Sequence, residues 1–393
     1  MKNIICLIII VASVTTIAQT PKVFIMDANH LMQLKKNVQQ KDKATLQLVA
    51  ELKKQADAFL KMKPVSVMDK GFTPVSGSKH DYMSQAPYFW YDSTKPNGLP
   101  YMRKDGERNP EINKITDKKY LVNFEDATKT LALAFYLTGE EKYATKAAEL
   151  IRYWFFNEDT KMNPNLDYAQ GIPGINNGRG IGIIESRAFT GVADAAGLLE
   201  GSNAWKEDDA KLLQQWYTSF LNWMLTSKNG GEEHRAKNNH GTWYYVQVID
   251  FALFTGDKRK AKMLAKESVI RLDSQLTKEG KMPLELERTK ALGYSTMNLR
   301  GWFEAARLAG EAGVDLWNYK TSKGADLRTA LNWLMPYALS EKKWEYKQIE
   351  KYDSNEMYPL LLQAADKYND PNYLIKANAN GNKNFMIDLL YKK

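Results

Sequence analysis

Two short stretches carry the side chains with which this chain could do chemistry. One is Lys237-Asn238-Asn239-His240-Gly241-Thr242-Trp243-Tyr244, the other Glu287-Arg288-Thr289-Lys290-Ala291-Leu292-Gly293-Tyr294. Between them they supply amides, an imidazole, a guanidinium and a phenol. Amides and a guanidinium donate hydrogen bonds to a carboxylate, while an imidazole and a phenol accept or release protons. The set suits removal of a proton beside a carboxylate, and it calls for no metal and no organic cofactor. His240 opens the apolar pattern Val246, Val248, Ile249 and Leu253. Asn238 or Asn239 is placed to cap that helix, because a side-chain oxygen there accepts from the free first-turn amides. The positive end of a helix disfavours a further proton on a neighbouring imidazole, so His240 is expected neutral and able to take one. Tyr294 opens the pattern Met297, Leu299, Trp302 and Phe303. Arg288 and the helix start are both expected to pull its phenol below the ordinary value of about 10. Of the other three histidines, His80 falls in an aromatic loop within reach of a ligand, His30 on a surface helix and His234 in a loop. Trp243, one turn into the His240 helix, reads as core.

The elements around these stretches are helical. From Asn29 to Leu60 apolar residues recur at mixed three- and four-residue spacing. Residues 63–118 break the pattern with six prolines and a dense run of aromatics, among them Tyr82, Tyr88, Phe89, Trp90, Tyr91 and Tyr101. So long an irregular stretch in a compact protein is usually functional, and its aromatic content argues against disorder. Helices resume near Tyr120. Thr138-Gly139-Glu140-Glu141 turns one into the next, Thr255-Gly256-Asp257 repeats the device, and Asn369-Asp370-Pro371 is a looser copy. Glycine suits a helix end and an acid suits the following start. A second irregular stretch runs from about 157 to 182 and leads into a helix carrying Glu185, Arg187 and Ala188. Further helices are expected at about 207–228, 240–255, 258–277, 293–311 and 326–338. Repeated hairpins without strands make an all-α fold, and their irregular spacing favours an incomplete (α/α) toroid over a regular tandem array. No linker marks a second domain, so residues 20–393 are read as one unit.

The 393 residues include 44% hydrophobic ones, enough for a sizeable core. The net charge of +9 is spread without the basic stripe of a nucleic-acid binder, and it favours an acidic polymer as partner. Lys2, the apolar run Ile4–Val11 and the small residues up to Ala18 read as a secretory leader over 1–19, cleaved after Ala18 or Gln19. The run is too short to span a bilayer, so no membrane attachment is expected once it is removed. The single cysteine, Cys6, lies inside the leader. The mature chain is therefore expected to be exported, to a periplasm or beyond, without disulfides.

Three stretches carry a resemblance to the alginate-lyase-type polysaccharide lyases of families 5 and 38, which are all-α toroids. They are His80-Asp81-Tyr82 through Trp90, continuing in Gly98-Leu99-Pro100-Tyr101 and Arg103 to Glu111; Asn238-Asn239-His240-Gly241-Thr242; and Arg288 with Tyr294. The resemblance implies β-elimination on a uronate polymer, either alginate rich in mannuronate or glucuronan. It assigns Asn239 and Arg288 to neutralise the carboxylate, with Asn238 as helper. It makes Tyr294 the acid and, for one stereochemistry, also the base, and His240 the base for the other or the residue that positions the tyrosine. The lid residues of better-known members have no matching motif in this chain, and the segment 79–111 is expected to replace them. Aromatic faces stack on sugar rings and arginine pairs with carboxylates, so His80, Tyr88, Trp90, Arg103 and Arg187 are candidate sugar contacts. Two other readings remain. A glycoside hydrolase needs two carboxylates flanking the bond, for which Glu185, Glu285 and Glu287 are candidates. A non-catalytic glycan binder needs only the groove.

Overall fold

The hairpins anticipated from apolar spacing close into a toroid. The computed structural model describes residues 20–379 and 384–393; the leader read over 1–19 lies outside them. Helices α1 (Ala28–Gln39) and α2 (Lys43–Phe59) are followed by the irregular segment. Then come α3 (Asp117–Thr138), α4 (Glu141–Phe155), α5 (Ala188–Leu198), α6 (Glu207–Thr226), α7 (Lys228–Arg235), α8 (Asn239–Phe254) and α9 (Lys258–Gln275). The chain finishes with α10 (Pro283–Leu286), α11 (Ala291–Glu311), α12 (Leu327–Ala338), α13 (Tyr358–Lys367), α14 (Pro371–Ala379) and α15 (Phe385–Tyr391). Helix α8 packs on α9, α11, α6 and α5, and α3 packs on α4, α5 and α2. From Gly241 to Leu253 every residue of α8 is buried, as befits a helix that is apolar nearly all round. Gly139 and Gly256, at φ 73° and 81°, supply the left-handed turns after α3 and α8. Buried hydrophobics from Val23 to Leu389 form one contiguous core. No described helix is long and apolar enough to cross a membrane.

Several local expectations are corrected. The pattern read through 29–60 is two helices. Lys41 takes a positive φ of 58°, and Asp42 starts α2 by accepting from the Thr45 amide. His30 is buried rather than on the surface, with Nε2 2.8 Å from the Leu389 carbonyl. His234 sits in α7, not in a loop, and touches Tyr245 and Glu267.

Four short strands also occur where none was expected. β1 (Met83–Gln85) runs parallel to β4 (Tyr168–Gly171), and β2 (Phe89–Trp90) runs antiparallel to β3 (Met102–Arg103). In the second pair Phe89 faces Arg103 and Trp90 faces Met102. Successive side chains of a strand point to opposite faces, so Phe89 and Arg103 share one side of this hairpin and Trp90 and Met102 the other.

The irregular segment is tied to the ring through Lys70, which is fully buried and lies 3.0 Å from Asp117 at the start of α3. The stretch before α1 is tied to α5, where Asp194 accepts from the backbone amides of Phe24 and Met26, each at 2.6 Å.

Candidate active site

A cavity of about 1010 Å³ opens among α3, α5, α8, α11 and α15. The starts of α8 and α11 deliver Asn239, His240 and Tyr294 to its wall, and the turn before α11 delivers Arg288. Residues 294, 297, 300 and 304 recur at helical spacing, so one face of α11 descends the cavity for about 15 Å.

Each of these side chains is held by a neighbour from another element. Asn238 caps α8, its side-chain oxygen 3.4 Å from the His240 amide. Asn239 is fully buried on the wall, where its backbone amide and Nδ2 donate to Glu285 at 2.6 and 2.8 Å. An amide nitrogen carries two hydrogens, so Nδ2 keeps a second donor for another acceptor. Burial pushes the Glu285 carboxyl up, and the two bonds from Asn239 work against that. His240 places Nδ1 2.7 Å from Oε1 of Glu233, a carboxylate wholly enclosed by protein. A carboxylate can only accept, so Nδ1 carries the hydrogen and Nε2 keeps its lone pair.

The phenol of Tyr294 donates to Tyr88 Oη at 2.8 Å. The Arg288 guanidinium lies over the Tyr294 ring, 3.8 Å from its centroid. The anticipated lowering of this phenol is overturned. Burial and the contact with Tyr88 push it well above 10.0, and the opposing pull of Arg288 is smaller. Arg288 itself is held by Asp105 through Nη2 at 2.9 Å and Nε at 3.2 Å. Burial would raise the Asp105 carboxyl, but Arg288 and Thr289 together hold it well below the usual carboxylate range.

Of the remaining candidates, Tyr88, Arg103, Arg187 and Asn238 reach the cavity wall, whereas His80 and Trp90 do not. His80 turns Nδ1 to the Lys161 carbonyl at 2.6 Å. Trp90 occupies the hairpin face opposite Phe89 and Arg103, and its indole donates to the Glu107 carbonyl. Trp243 is buried as expected, yet it also borders the cavity and carries the Arg187 guanidinium 5.1 Å over its ring. The supporting roles of Glu233, Glu285 and Asp105 were not anticipated. Glu285 was read only as a hydrolase carboxylate, Asp105 stood inside a motif singled out for the resemblance, and Glu233 carries no local signal.

The carboxylates proposed for a hydrolase are otherwise engaged. Glu185 accepts from Tyr82, Ser84, Lys118 and Gln170. Glu285 is occupied by Asn239, and Glu287 is exposed and off the wall. Among the described residues, no three His, Cys, Asp or Glu side chains converge as a metal site.

Residues 66–344 match the family described as alginate lyase. Among solved structures, the chain is similar to an alginate lyase from Bacteroides ovatus, with 40% identity and a TM-score of 0.90 over 95% of this chain and 99% of that one. It also shares its fold with alginate lyase A1-III complexed with a tetrasaccharide, at 15% identity and a TM-score of 0.61 over 96% and 98% of the two chains. A1-III from Sphingomonas species A1 gives 15% identity and a TM-score of 0.52 over 86% and 94%. No curated protein matches the chain.

Proposed function

The chain belongs to the alginate lyase family and is a polysaccharide lyase; on that footing we propose that it depolymerises alginate, or a related polyuronate such as glucuronan, by β-elimination. The substrate carboxylate takes the second hydrogen of Asn239 Nδ2 and the free edge of the Arg288 guanidinium. Donors at that point stabilise the enolate-like charge that builds as C5 loses its proton. His240 Nε2 removes that proton. The C5–H electron pair forms the C4=C5 double bond as the C4–O bond breaks, and Tyr294 gives its proton to the departing oxygen. The products are an unsaturated sugar and a free hydroxyl, and no water is consumed.

The contact between His240 and Glu233 carries this reading. With Nδ1 occupied by a buried carboxylate, Nε2 is the one imidazole site left for a proton, in a cavity that also holds a phenol kept in its acid form. Those two contacts support a division of labour in which the imidazole is the base and the phenol is the acid. The sequence of residues 1–19, read as a secretory leader, supports export to a periplasm or the exterior as the setting for such a polymer.

The test is a panel of polymannuronate, polyguluronate, glucuronan and glycosaminoglycans, followed by ultraviolet absorbance and by reducing ends. Elimination raises both readouts on alginate. Hydrolysis would raise reducing ends alone, and a non-catalytic binder would raise neither.

A further inference from the structure

Helix α9 breaks two rules of helix electrostatics with no contact to make up for it. Its first turn is Lys258-Arg259-Lys260, with only the capping Asp257 ahead of it, although a helix N-terminus is already its positive end. Arg259, Lys262 and Lys266 then follow one another at three- and four-residue spacing, where like charges repel. Among the described residues none of these three side chains has an ion pair or a hydrogen bond. A local cost without a local return marks a place shaped for function.

The acids at hand are engaged elsewhere. Asp257 pairs with Lys260, Glu267 meets His234, and Asp273 accepts from Ser322. On α2, α4 and α6, by contrast, cations are answered by acids: Lys53 by Glu140, Lys146 by Glu149 and Lys211 by Glu207.

The three free cations are exposed on the face of α9 opposite the one that Ala261, Leu264, Ala265, Ser268 and Leu272 bury. They cover about 10 Å of helix axis. The row continues toward the cavity. Beside Lys266, Glu267 lies 3.1 Å from His234 on α7, and the exposed Arg235 and Lys237 then lead to Asn238 on the cavity wall. Helix α9 is fixed to that stretch: Arg271 Nη2 donates to the His234 carbonyl at 2.6 Å, and Gln275 Nε2 to the Lys237 and Asn238 carbonyls, each at 3.0 Å.

We propose that Arg259, Lys262 and Lys266, with Arg235 and Lys237, form a secondary track on the outer surface that holds one length of the acidic polymer while another is cut in the cavity. This rests on the lyase reading and deepens it. A row of one sign attracts a polyanion and raises its concentration beside the cavity. An anionic lipid surface would answer the same charges, with the exposed Met263 and Ile270 dipping into it. Continuity with the cavity wall favours the polymer, because a polymer reaches both places and a bilayer does not.

The experiment compares a long polyuronate with an oligosaccharide short enough to lie wholly inside the cavity. The proteins are wild type and the triple variant Arg259→Gln, Lys262→Gln, Lys266→Gln, with the unfolding midpoint as a check on folding. On the oligosaccharide the two are expected to have the same kcat/KM. On the polymer at low salt the variant is expected to lose about tenfold, through KM, the combined worth of three exposed ion pairs. That loss should vanish at about 1 M salt, where charges are screened beyond about 3 Å. An equal loss on both substrates, or none on either, overturns the proposal. Phosphatidylglycerol vesicles are the second probe. Wild-type binding to them that Met263→Ser and Ile270→Ser abolish, with the triple variant's polymer kinetics unchanged, would assign the row to lipid and overturn the proposal.

Dissociation constants for the polymer keep the lyase reading apart. Binding weakened by the triple substitution, with no unsaturated product from either protein, sinks the lyase reading and leaves the track standing. Unsaturated product with polymer affinity untouched by the substitution sinks the track alone.

Discussion

Arg288 grips Asp105 with two nitrogens, at 2.9 and 3.2 Å, while its plane covers the ring of Tyr294. One guanidinium thus fastens the irregular segment that carries Asp105 to the start of α11. Asp105→Ala is expected to free both. KM should rise about tenfold, the scale of one lost charged hydrogen bond, and protease should cut the 89–104 stretch faster than in wild type. Kinetics and limited proteolysis of the folded variant check this. An unchanged digestion pattern would show that the segment is held by other contacts.

Tyr294→Phe removes the proposed acid and keeps the ring under Arg288. Turnover is expected to fall by about 10²–10⁴, the usual worth of a positioned acid or base, with oligosaccharide affinity within a few-fold of wild type. The working form is the protonated phenol, which exists below its pKa. Burial and Tyr88 both raise that pKa, so the alkaline limb due to Tyr294 should lie beyond the ordinary 10.0. Removing the neighbouring hydroxyl in Tyr88→Phe should move that limb to lower pH. A limb that stays in place would detach it from Tyr294.

Glu233 should matter through His240 alone. Glu233→Gln keeps an oxygen for Nδ1–H but loses the charge that steadies the imidazolium, and kcat is expected to drop about ten- to a hundredfold. Glu233→Leu also loses the tautomer and should approach the His240→Ala level. Substrate dissociation constants near wild type would place the loss in the chemical step; a matching loss of affinity would argue for general collapse of the wall.

Asp250, fully buried on α8, has no hydrogen-bond partner among the described residues for either carboxyl oxygen. Burial first, then the nearby Asp194 and Glu304, push it well above its ordinary 3.8. The folded chain therefore keeps a proton that the unfolded chain releases. Its contribution to stability is whole below the unfolded value and drains away as pH rises toward the folded one, by up to about 1.4 kcal/mol per pH unit. Asn cannot ionise, so the melting temperature of Asp250→Asn relative to wild type should climb between about pH 5 and about pH 8. A difference independent of pH would mean that the carboxyl stays ionised in the core.

The helices and their turns were legible because apolar spacing, Gly139, Gly256 and the capping residues are local signals. The two candidate stretches that meet at the cavity were legible for the same reason: amide, imidazole, guanidinium and phenol each stood just before an apolar helical pattern. What escaped was partnership. Glu285 reaches Asn239 across 46 positions, and Asp105 reaches Arg288 across 183, with no periodicity linking them. The phenol was misjudged because a helix start and an arginine can be read from sequence, whereas the extent of burial that outweighs them cannot. His80 and Trp90 were taken as sugar contacts on residue type. Trp90 lies off the cavity wall, because type does not say which face of a two-residue strand it will occupy.

That last point bears on how the hairpin can be altered. Phe89 and Arg103 both face the cavity only because the cross-strand pairing has a fixed parity. Inserting or deleting a single residue between Tyr91 and Tyr101 that shifted the pairing by one would turn one strand over relative to the other, sending either Arg103 outward and Met102 inward or Phe89 outward and Trp90 inward. Grafts into this arm should therefore change its length in steps of two.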